Sequence, residues 1–388
     1  MTLQYRPPLA LPRLTAEGLR GSESGVWVEP PGHARRLFRY APEFIDDPAA
    51  IGMFDRIGPD VYRSPPVFVA SCTGADLVGY RTLIHEDGFC DDEALLSETA
   101  EAGFLDKLAS DDPFLNENTG LRRCEGGEWR FIAGDRHLRE IPGTTSVLCS
   151  HEPSNYGSFL FRVLPKLLVL RQLGLDHLPM LVWAAPPAFR RLLGLLGVEE
   201  GRIIQHELGT VTRLEHAIAP SLRNPHAYLD RESWALLQTL SDRCMGELSG
   251  RRLYISRLSH GKVSGSTRVM QNEDALAAAL AQLNFEVIEP QLLTTEEQIA
   301  TFASADMIVG PSGSAMFNVV FARPGTKVID IESEPNWIYA HAGLFASCQM
   351  RYGLFVGECD PADTRPAHRS WTVDIPVLMD RISDFIRA

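Results

Sequence analysis

The stretch "ADMIVGPSGSAMFNVVFARPG", residues 305–325, changes its pattern at Gly310. The apolar run before that glycine predicts a buried strand, and the "AMFNVVFA" run that follows predicts a helix. Glycines let a backbone approach its neighbours closely, and the first N–H groups of a helix are unpaired donors that suit an anion. Residues 310–314, here called the corner, therefore form either a phosphate-binding turn or a tight turn in which Ser312 or Ser314 caps the helix.

Strands and helices alternate over most of the chain from residue 144 onward. Alternation of this kind predicts parallel sheets that are covered by helices. One predicted helix opens with a capping box, in which Thr294 is followed three residues later by Glu297. The predicted strands are 179–185, 201–207, 213–220, 252–257, 285–290, 307–310 and 326–332, and the predicted helices are 155–174, 187–197, 226–248, 272–284, 294–305 and 315–322.

The length of 388 residues is too great for one ordinary hydrophobic core. Before residue 140 the chain is rich in proline and in short apolar runs that are split by glycine and aspartate, which predicts an irregular and β-rich region. The predicted domains are this region (1–140), a first Rossmann-like domain (141–245), a second one (246–350) and a C-terminal segment (351–388) that returns toward the first domain.

The charge and the cysteines restrict the class of protein. The formal net charge is -13, which argues against a nucleic-acid partner. Seven scattered cysteines without a Cys-x-x-Cys pair favour free thiols in a reducing compartment. No signal-peptide pattern or membrane-spanning run is present in the sequence, so we predict a cytoplasmic protein.

A local basic stretch contrasts with this acidic background. Residues 251–268, "RRLYISRLSHGKVSGSTR", carry five Arg or Lys side chains and no Asp or Glu. A strand followed by a polar loop with two spaced arginines, Arg257 and Arg268, suits a diphosphate, because each guanidinium can hold oxygens in a fork. Lys262 could assist them. The alternative is a solvated basic loop.

Two further pairs of polar residues lie at or just before the start of predicted helices. Asn272 is a candidate cap of the helix 272–284, and Glu273 either complements the helix dipole or accepts hydrogen bonds from ribose or sugar hydroxyls. His151 and Glu152 precede the helix 155–174, where either is a candidate general base or a structural residue.

Several well-defined catalytic and ligand-binding motifs are absent from the sequence. The corner has Ser314 where a hydrolase nucleophile elbow needs glycine, and it does not contain the dinucleotide fingerprint G-x-G-x-x-G. Ser256 stands where a Walker A loop needs its first glycine. No spacing typical of a metal site is present, and the sequence Asp330-Ile331-Glu332 is interpreted as part of a core strand.

Taken in order, these segments resemble glycosyltransferase family 61, often described as capsular polysaccharide biosynthesis proteins. The resemblance covers about residues 70–355 and is strongest over 252–331. The upstream run "GADLVGYRTLIHEDGF" also resembles short β repeats of that family. The segments that carry it are "NYGSFLFRVLPKL", "LYISR", Arg268 with "QNE", "EEQIATFASADMIVGPSGSAMFNVVFARPGT" and "VIDIE".

The resemblance implies an α/β, GT-B type fold in which two Rossmann-like domains face a cleft behind a β-rich N-terminal region. It implies an inverting glycosyltransferase, a hexosyl- or pentosyltransferase without an obligatory metal or other cofactor. The donor would be a nucleotide-sugar, with a UDP-sugar as the leading expectation, and the acceptor a glycan or lipid-linked glycan; peripheral membrane association stays open. The predicted donor-binding residues are Arg257, Lys262, Arg268, Asn272, Glu273, Gly310, Ser312, Gly313 and Ser314, and the predicted cleft residues are Asn155, Tyr156 and Ser158.

The chain departs from the family pattern at three positions. Ser158 and Ser312 stand where the family usually has histidine, and Arg162 stands where it usually has an acidic residue. Serine is not a base at neutral pH without help, and arginine cannot serve as one. Three explanations stay open: a base elsewhere, with Glu152 or His151 first; an unusual donor or acceptor; or a non-catalytic nucleotide-sugar or glycan-binding subunit of a polysaccharide assembly system.

Overall fold

The structure is a computed structural model that describes most of the chain. The described residues are 2–5, 26–28, 36–38, 41–56, 61–63, 67, 69–85, 88–91, 121–123, 129–131, 136–150, 152–183, 185–224, 228–246, 250–259, 268–334, 338–365 and 369–388.

The chain divides into two compact units. The first unit comprises Met1–Arg36 and Arg63–Pro225, and the second comprises Leu37–Tyr62 and His226–Ala388. Each unit has its own sheet.

The strands are numbered in chain order. They are β1 (Thr2–Tyr5), β2 (Val26–Val28), β3 (Arg36–Phe38), β4 (Phe44–Ile45), β5 (Val61–Arg63), β6 (Val69–Val78), β7 (Thr82–His85), β8 (Gly88–Asp91), β9 (Leu121–Arg123), β10 (Trp129–Phe131), β11 (His137–Val147), β12 (Met180–Val182), β13 (Ile203–Gln205), β14 (Thr210–Pro220), β15 (Arg251–Ile255), β16 (Phe285–Ile288), β17 (Ala305–Pro311), β18 (Lys327–Glu332), β19 (Arg351–Val356), β20 (Glu358–Cys359) and β21 (Trp371–Thr372).

The helices confirm the predicted alternation. The α-helices are α1 (Pro48–Arg56), α2 (Tyr156–Ser158), α3 (Leu164–Gln172), α4 (Pro187–Leu195), α5 (Arg231–Cys244), α6 (Glu273–Ala281), α7 (Thr295–Ala303), α8 (Ile338–Ser347) and α9 (Ile375–Arg387). A π-helical segment, Phe159–Val163, joins α2 to α3, and in the described part of the chain 3-10 helices span Glu200–Arg202, Pro290–Leu292 and Ser314–Phe321. The predicted capping box of α7 is present, with Thr294 and Glu297 bonded reciprocally.

The second unit contains a six-stranded parallel sheet. Its strand order is β16-β15-β17-β18-β19-β4. The chain passes from β15 outward to β16, and then crosses back to β17 on the other side of β15. The direction of winding therefore reverses between β15 and β17, which makes this pair the topological switch point of a doubly wound sheet.

Helices cover both faces of this sheet. On one face α6 and α9 pack on a core that includes Tyr254, Val309 and Ile331. On the other face α5, α7 and α8 surround the 3-10 helix Ser314–Phe321. Side chains of α5 fix the end of that helix, because Trp234 Nε1 and Gln238 Nε2 donate to the carbonyl of Val320 at 3.2 and 2.7 Å.

The first unit contains a mixed sheet. Strands β13, β12, β11 and β14 are neighbours in that order and run parallel, and β6 continues the sheet in the antiparallel direction. The segment α2–α3 connects β11 to β12 and lies within the predicted helix 155–174. Buried Lys166 donates from Nζ to the carbonyl of Cys149 at 2.7 Å, which holds this helix at the carboxyl end of β11.

None of the helices in the described ranges has both the length and the apolar character that a bilayer span requires. Cys72, Cys149, Cys244, Cys348 and Cys359 are thiols that form no disulfide, as predicted.

Candidate functional site

The switch point of the second unit brings the basic strand and the corner together. Arg257 follows the carboxyl end of β15, and the corner follows the carboxyl end of the adjacent strand β17. Open parallel sheets bind ligands in the crevice at this position. The sequence predicted both features separately, and the sheet order explains why they meet.

The guanidinium of Arg257 lies against the corner. A Cβ atom built on Gly313 would be 3.7 Å from Arg257 Nη1. Within the part of the chain that the structure describes, no carboxylate forms an ion pair with this guanidinium. Burial lowers the pKa of Arg257, and the positive charge of Arg268 lowers it further, although arginine stays protonated in proteins. Arg257 is therefore a partly buried cation that an anion would stabilise.

Arg268 is held differently. Its Nη2 lies 3.4 Å from Oε2 of buried Glu332, so part of its charge is neutralised within the protein. Its backbone has a φ of 68°, a left-handed conformation that is uncommon for a residue with a side chain. Of the two predicted diphosphate ligands, Arg257 thus has the more available charge.

Ser312 is tied to the interior of the second unit. Its backbone N–H donates to the carbonyl of Ile331 at 2.8 Å, and its Oγ lies 3.1 Å from His341 Nδ1. The same ring nitrogen lies 3.0 Å from Asp330 Oδ2. A Ser-His-Asp relay uses the two opposite nitrogens of the ring, so this arrangement does not activate the serine as a nucleophile.

The predicted serine cap of the corner helix is wrong. The helix is a 3-10 helix, its cap position is Gly313, and no side chain makes a capping hydrogen bond there. Gly313 has a φ of 157° and a ψ of -176°, a conformation that is essentially restricted to glycine. The glycine is needed for the path of the backbone, and the serine at 312 is used for the contact with His341.

Two acidic groups lie beneath the corner at the end of β18. Asp330 and Glu332 are both fully buried. Burial raises the pKa of Glu332 to about 7, the charge of Asp330 raises it as well, and His341, Ser312 and Arg268 offset part of the effect. Burial alone would lower the pKa of His341, but the carboxylates of Asp330 and Glu332 reverse this and raise it.

Gly310 serves the packing of the two switch-point strands. A Cβ atom there would lie 2.8 Å from Ile255 Cβ, 3.1 Å from Ile255 O and 3.0 Å from Met316 Sδ. These distances leave no room for a methyl group between β15 and the corner helix. The first glycine of the corner is thus explained by the approach of a neighbouring strand.

We expect Gly310→Ala to lower the free energy of unfolding by about 1–3 kcal/mol, because the added methyl group overpacks the interface of β15 and β17. Urea unfolding followed by circular dichroism measures the change. Gly194→Ala in α4 is the matched control, since nothing lies within 4 Å of its added Cβ, and it should be neutral or slightly stabilising. Equal stability of Gly310→Ala and wild type would contradict the packing role.

Glu273 is buried at the first position of α6. Its Oε1 accepts hydrogen bonds from the backbone N–H of Arg257 at 2.7 Å and from Ser256 Oγ at 3.0 Å. Burial raises the pKa of Glu273, and these hydrogen bonds lower it in part. The carboxylate therefore anchors the backbone from which the Arg257 side chain extends.

Asn272 does not cap α6 through its side chain, contrary to the prediction. Its Nδ2 donates to the carbonyl of Val373 at 2.8 Å, and its Oδ1 accepts from the N–H of Val373 at 3.2 Å. Both ends of the amide are thus occupied by the segment that precedes α9.

The predicted residues of the first unit cluster around the start of α2. Asn155 caps this helix, because its Oδ1 accepts from the N–H groups of Gly157 and Ser158 at 2.9 and 3.3 Å. Ser158 Oγ donates to Oε2 of exposed Glu152 at 3.2 Å. The Tyr156 ring stacks on Phe189 with centroids 6.3 Å apart, and burial raises its pKa.

Residues 156–329 match the family described as Glycosyltransferase 61. This part of the chain, less than half of its 388 residues, is therefore similar to glycosyltransferase family 61. The resemblance in the sequence is thereby confirmed. No curated protein matches the chain.

The family 61 segment begins at the capped helix α2 and ends within β18. It includes both strands of the switch point, Arg257, Arg268 and the whole corner. It stops immediately before Asp330, so the acidic end of β18 and His341 lie outside the matched range.

The predicted residues thus fall into two groups in the structure. Arg257, Arg268, Glu273 and the corner lie together in the second unit, and Glu152, Asn155, Tyr156 and Ser158 lie together in the first. His151 and Lys262 lie outside the described residues.

Sequence reasoning missed His341 and read Asp330 and Glu332 as part of a core strand. One signal was present in "VIDIE", because two acids within a buried strand are costly unless they have partners. His341 carried no local signal, since its position beside the corner depends on how α8 packs on the sheet.

Proposed function

We propose that this protein is a glycosyltransferase that moves a sugar from a nucleotide-diphosphate donor to a glycan or lipid-linked glycan. The observation that carries the proposal is the Arg257 guanidinium, which lies against Gly313 at a sheet switch point without a carboxylate partner among the described residues. The GT-B type architecture is part of the proposal, and the parallel strands with crossover helices in each unit support it.

On the donor side, Arg257 would hold the diphosphate, with Arg268 in support. The negative charge that develops on the leaving diphosphate would be stabilised by these guanidinium groups and by backbone N–H groups of the corner, which are fixed before the reaction. Transfer would therefore not need a metal ion on the diphosphate.

On the acceptor side, Glu152 is the proposed general base. An acceptor hydroxyl would lose its proton to this carboxylate while its oxygen bonds to the anomeric carbon. The bond from that carbon to the diphosphate oxygen breaks at the same time, with inversion at the anomeric centre. The exposed carboxylate of Glu152, which also accepts from Ser158 Oγ, supports this role, whereas Arg162 is buried and cannot act as a base.

The first experiment is a thermal-shift panel with UDP-, GDP-, CMP- and dTDP-linked sugars. A ligand at about 100 times its dissociation constant adds about 2.7 kcal/mol of stability. We expect one nucleotide class to stabilise the wild type in the presence of EDTA, and to stabilise Arg257→Ala and Arg268→Ala much less. A panel without any shift would contradict the donor site.

Turnover separates the enzyme from a non-catalytic binding subunit. Incubation of the stabilising donor with the protein should release nucleoside diphosphate slowly by hydrolysis, and Glu152→Gln should reduce that release without changing donor affinity. Donor binding with neither hydrolysis nor transfer would instead support the binding subunit.

A further inference from the structure

Two buried carboxylate oxygens beneath the corner have no partner. Asp330 Oδ1 and Glu332 Oε1 are shielded from solvent and make no hydrogen bond with any described residue. Buried polar atoms are nearly always bonded, and an orphaned carboxylate oxygen calls for a water, an ion or a ligand that satisfies it.

These two side chains converge with His341. One ligand atom from each of Asp330, Glu332 and His341 can be chosen so that all three lie within 4.8 Å of one another. The three side chains come from the end of β18 and from α8, so the set is assembled by tertiary packing. Two carboxylates and one imidazole are a donor set that suits Mn²⁺ or Zn²⁺ better than a purely oxygen-seeking ion.

The imidazole of His341 is held in place by neighbouring side chains. Ser312 Oγ lies 3.1 Å from its Nδ1, and the rings of Phe317 and Phe345 pack against it with centroids 4.8 and 5.9 Å away. These contacts fix the orientation of the ring, so that it is preorganised toward the two carboxylates.

The charge balance also accommodates a cation. Asp330 and Glu332 bring two negative charges into the interior, and Arg268 offsets one of them at 3.4 Å. A metal-bound imidazole is neutral, so one negative charge is then left among these four side chains, and a divalent ion would more than offset it while satisfying both orphaned oxygens.

The geometry points to a buried site for one divalent transition-metal ion, held by Asp330, Glu332 and His341. The ion would join the end of β18 to α8 under the corner, and would thereby fix Ser312 and Glu332, the partner of Arg268. All three ligands are buried, so its role is to position the corner rather than to contact the diphosphate. The inference does not depend on the proposed function, because binding can be measured without nucleotide or sugar.

The test uses the full-length protein after EDTA treatment and dialysis. Titration with MnCl₂, followed by the electron paramagnetic resonance signal of free Mn²⁺, and calorimetric titration with ZnCl₂ should each give one saturable site per chain. The melting temperature of the chelated protein should rise when either ion is added. Metal analysis of untreated protein identifies the resident ion.

Three variants link the binding to these residues. Asp330→Asn and Glu332→Gln preserve the size of the side chain, and His341→Gln removes the imidazole. Each variant should weaken metal binding by at least about tenfold, because even changes in the outer shell of a metal site have effects of that size. Asp306→Asn, an exposed acid on β17, is the matched control and should bind as the wild type does.

Two results would overturn the proposal. The first is a wild type that shows no saturable binding and no change in melting temperature with either ion, which would indicate a cluster that shares protons instead. The second is binding that persists unchanged in folded Asp330→Asn and His341→Gln, which would place the ion elsewhere. The titration of the wild type does not depend on any variant, so it tests the proposal even if a variant does not fold.

Discussion

Arg257→Ala should weaken nucleotide-sugar binding by about ten- to a hundredfold. Hydrogen bonds between a guanidinium and a phosphate are charge-assisted, and the loss of such a bond costs about 1.5–3 kcal/mol. The loss should be large here, because this guanidinium is partly buried and has no carboxylate partner in the described part of the chain. Calorimetric titration with the donor from the thermal-shift panel gives the dissociation constants.

The controls distinguish a ligand contact from a general loss of charge. Arg251 lies at the opposite end of β15 and forms an exposed ion pair with Glu286, so Arg251→Ala should leave donor affinity unchanged. Arg257→Lys keeps the charge but not the fork, and should recover only part of the affinity. Unchanged affinity in a folded Arg257→Ala variant would rule out the assignment.

Much of the fold of the second unit could be predicted because its signals are local. Apolar runs of strand length, helical spacing and the capping box at Thr294 are properties of consecutive residues, and the structure reproduces them. The sequence predicted that Arg257 and Gly313 lie in the same α/β unit, but it did not predict that they are in contact. Their contact depends on strand order, which periodicity does not encode.

The two incorrect predictions of helix caps concern side chains whose partners are distant in the sequence. Serine at a strand-to-helix corner is usually a cap, but Ser312 faces His341, which enters from a helix 26 to 35 residues further along the chain. Asn272 was read as a cap because of its position before α6, whereas its amide pairs with the backbone of Val373, a hundred residues away. In both cases a long-range partner took the hydrogen bond that local reasoning assigned to the helix.

Glu273→Ala should lower the free energy of unfolding by about 2–4 kcal/mol. The substitution removes the acceptor of two buried hydrogen bonds, and each donor left without a partner costs about 1–3 kcal/mol. Glu273→Gln should be far milder, because both hydrogen bonds converge on Oε1 and an amide oxygen can accept both. Urea unfolding of the three proteins measures the difference, and Asp274→Ala, at the exposed next position of α6, should cost no more than about 1 kcal/mol.

The pH dependence separates this anchoring role from a role in binding the donor. Burial raises the pKa of Glu273 in the folded protein, so its contribution to stability is complete below its ordinary pKa and is lost as the pH rises through the folded value. Glu273→Gln has no such loss, and its stability relative to wild type should increase as the pH rises above the ordinary pKa of glutamate, about 4.3. If Glu273 instead accepts ribose or sugar hydroxyls, Glu273→Gln would weaken donor binding at unchanged stability. An anchor predicts retained donor affinity in Glu273→Gln and reduced affinity in Glu273→Ala, because only the latter releases the backbone of Arg257.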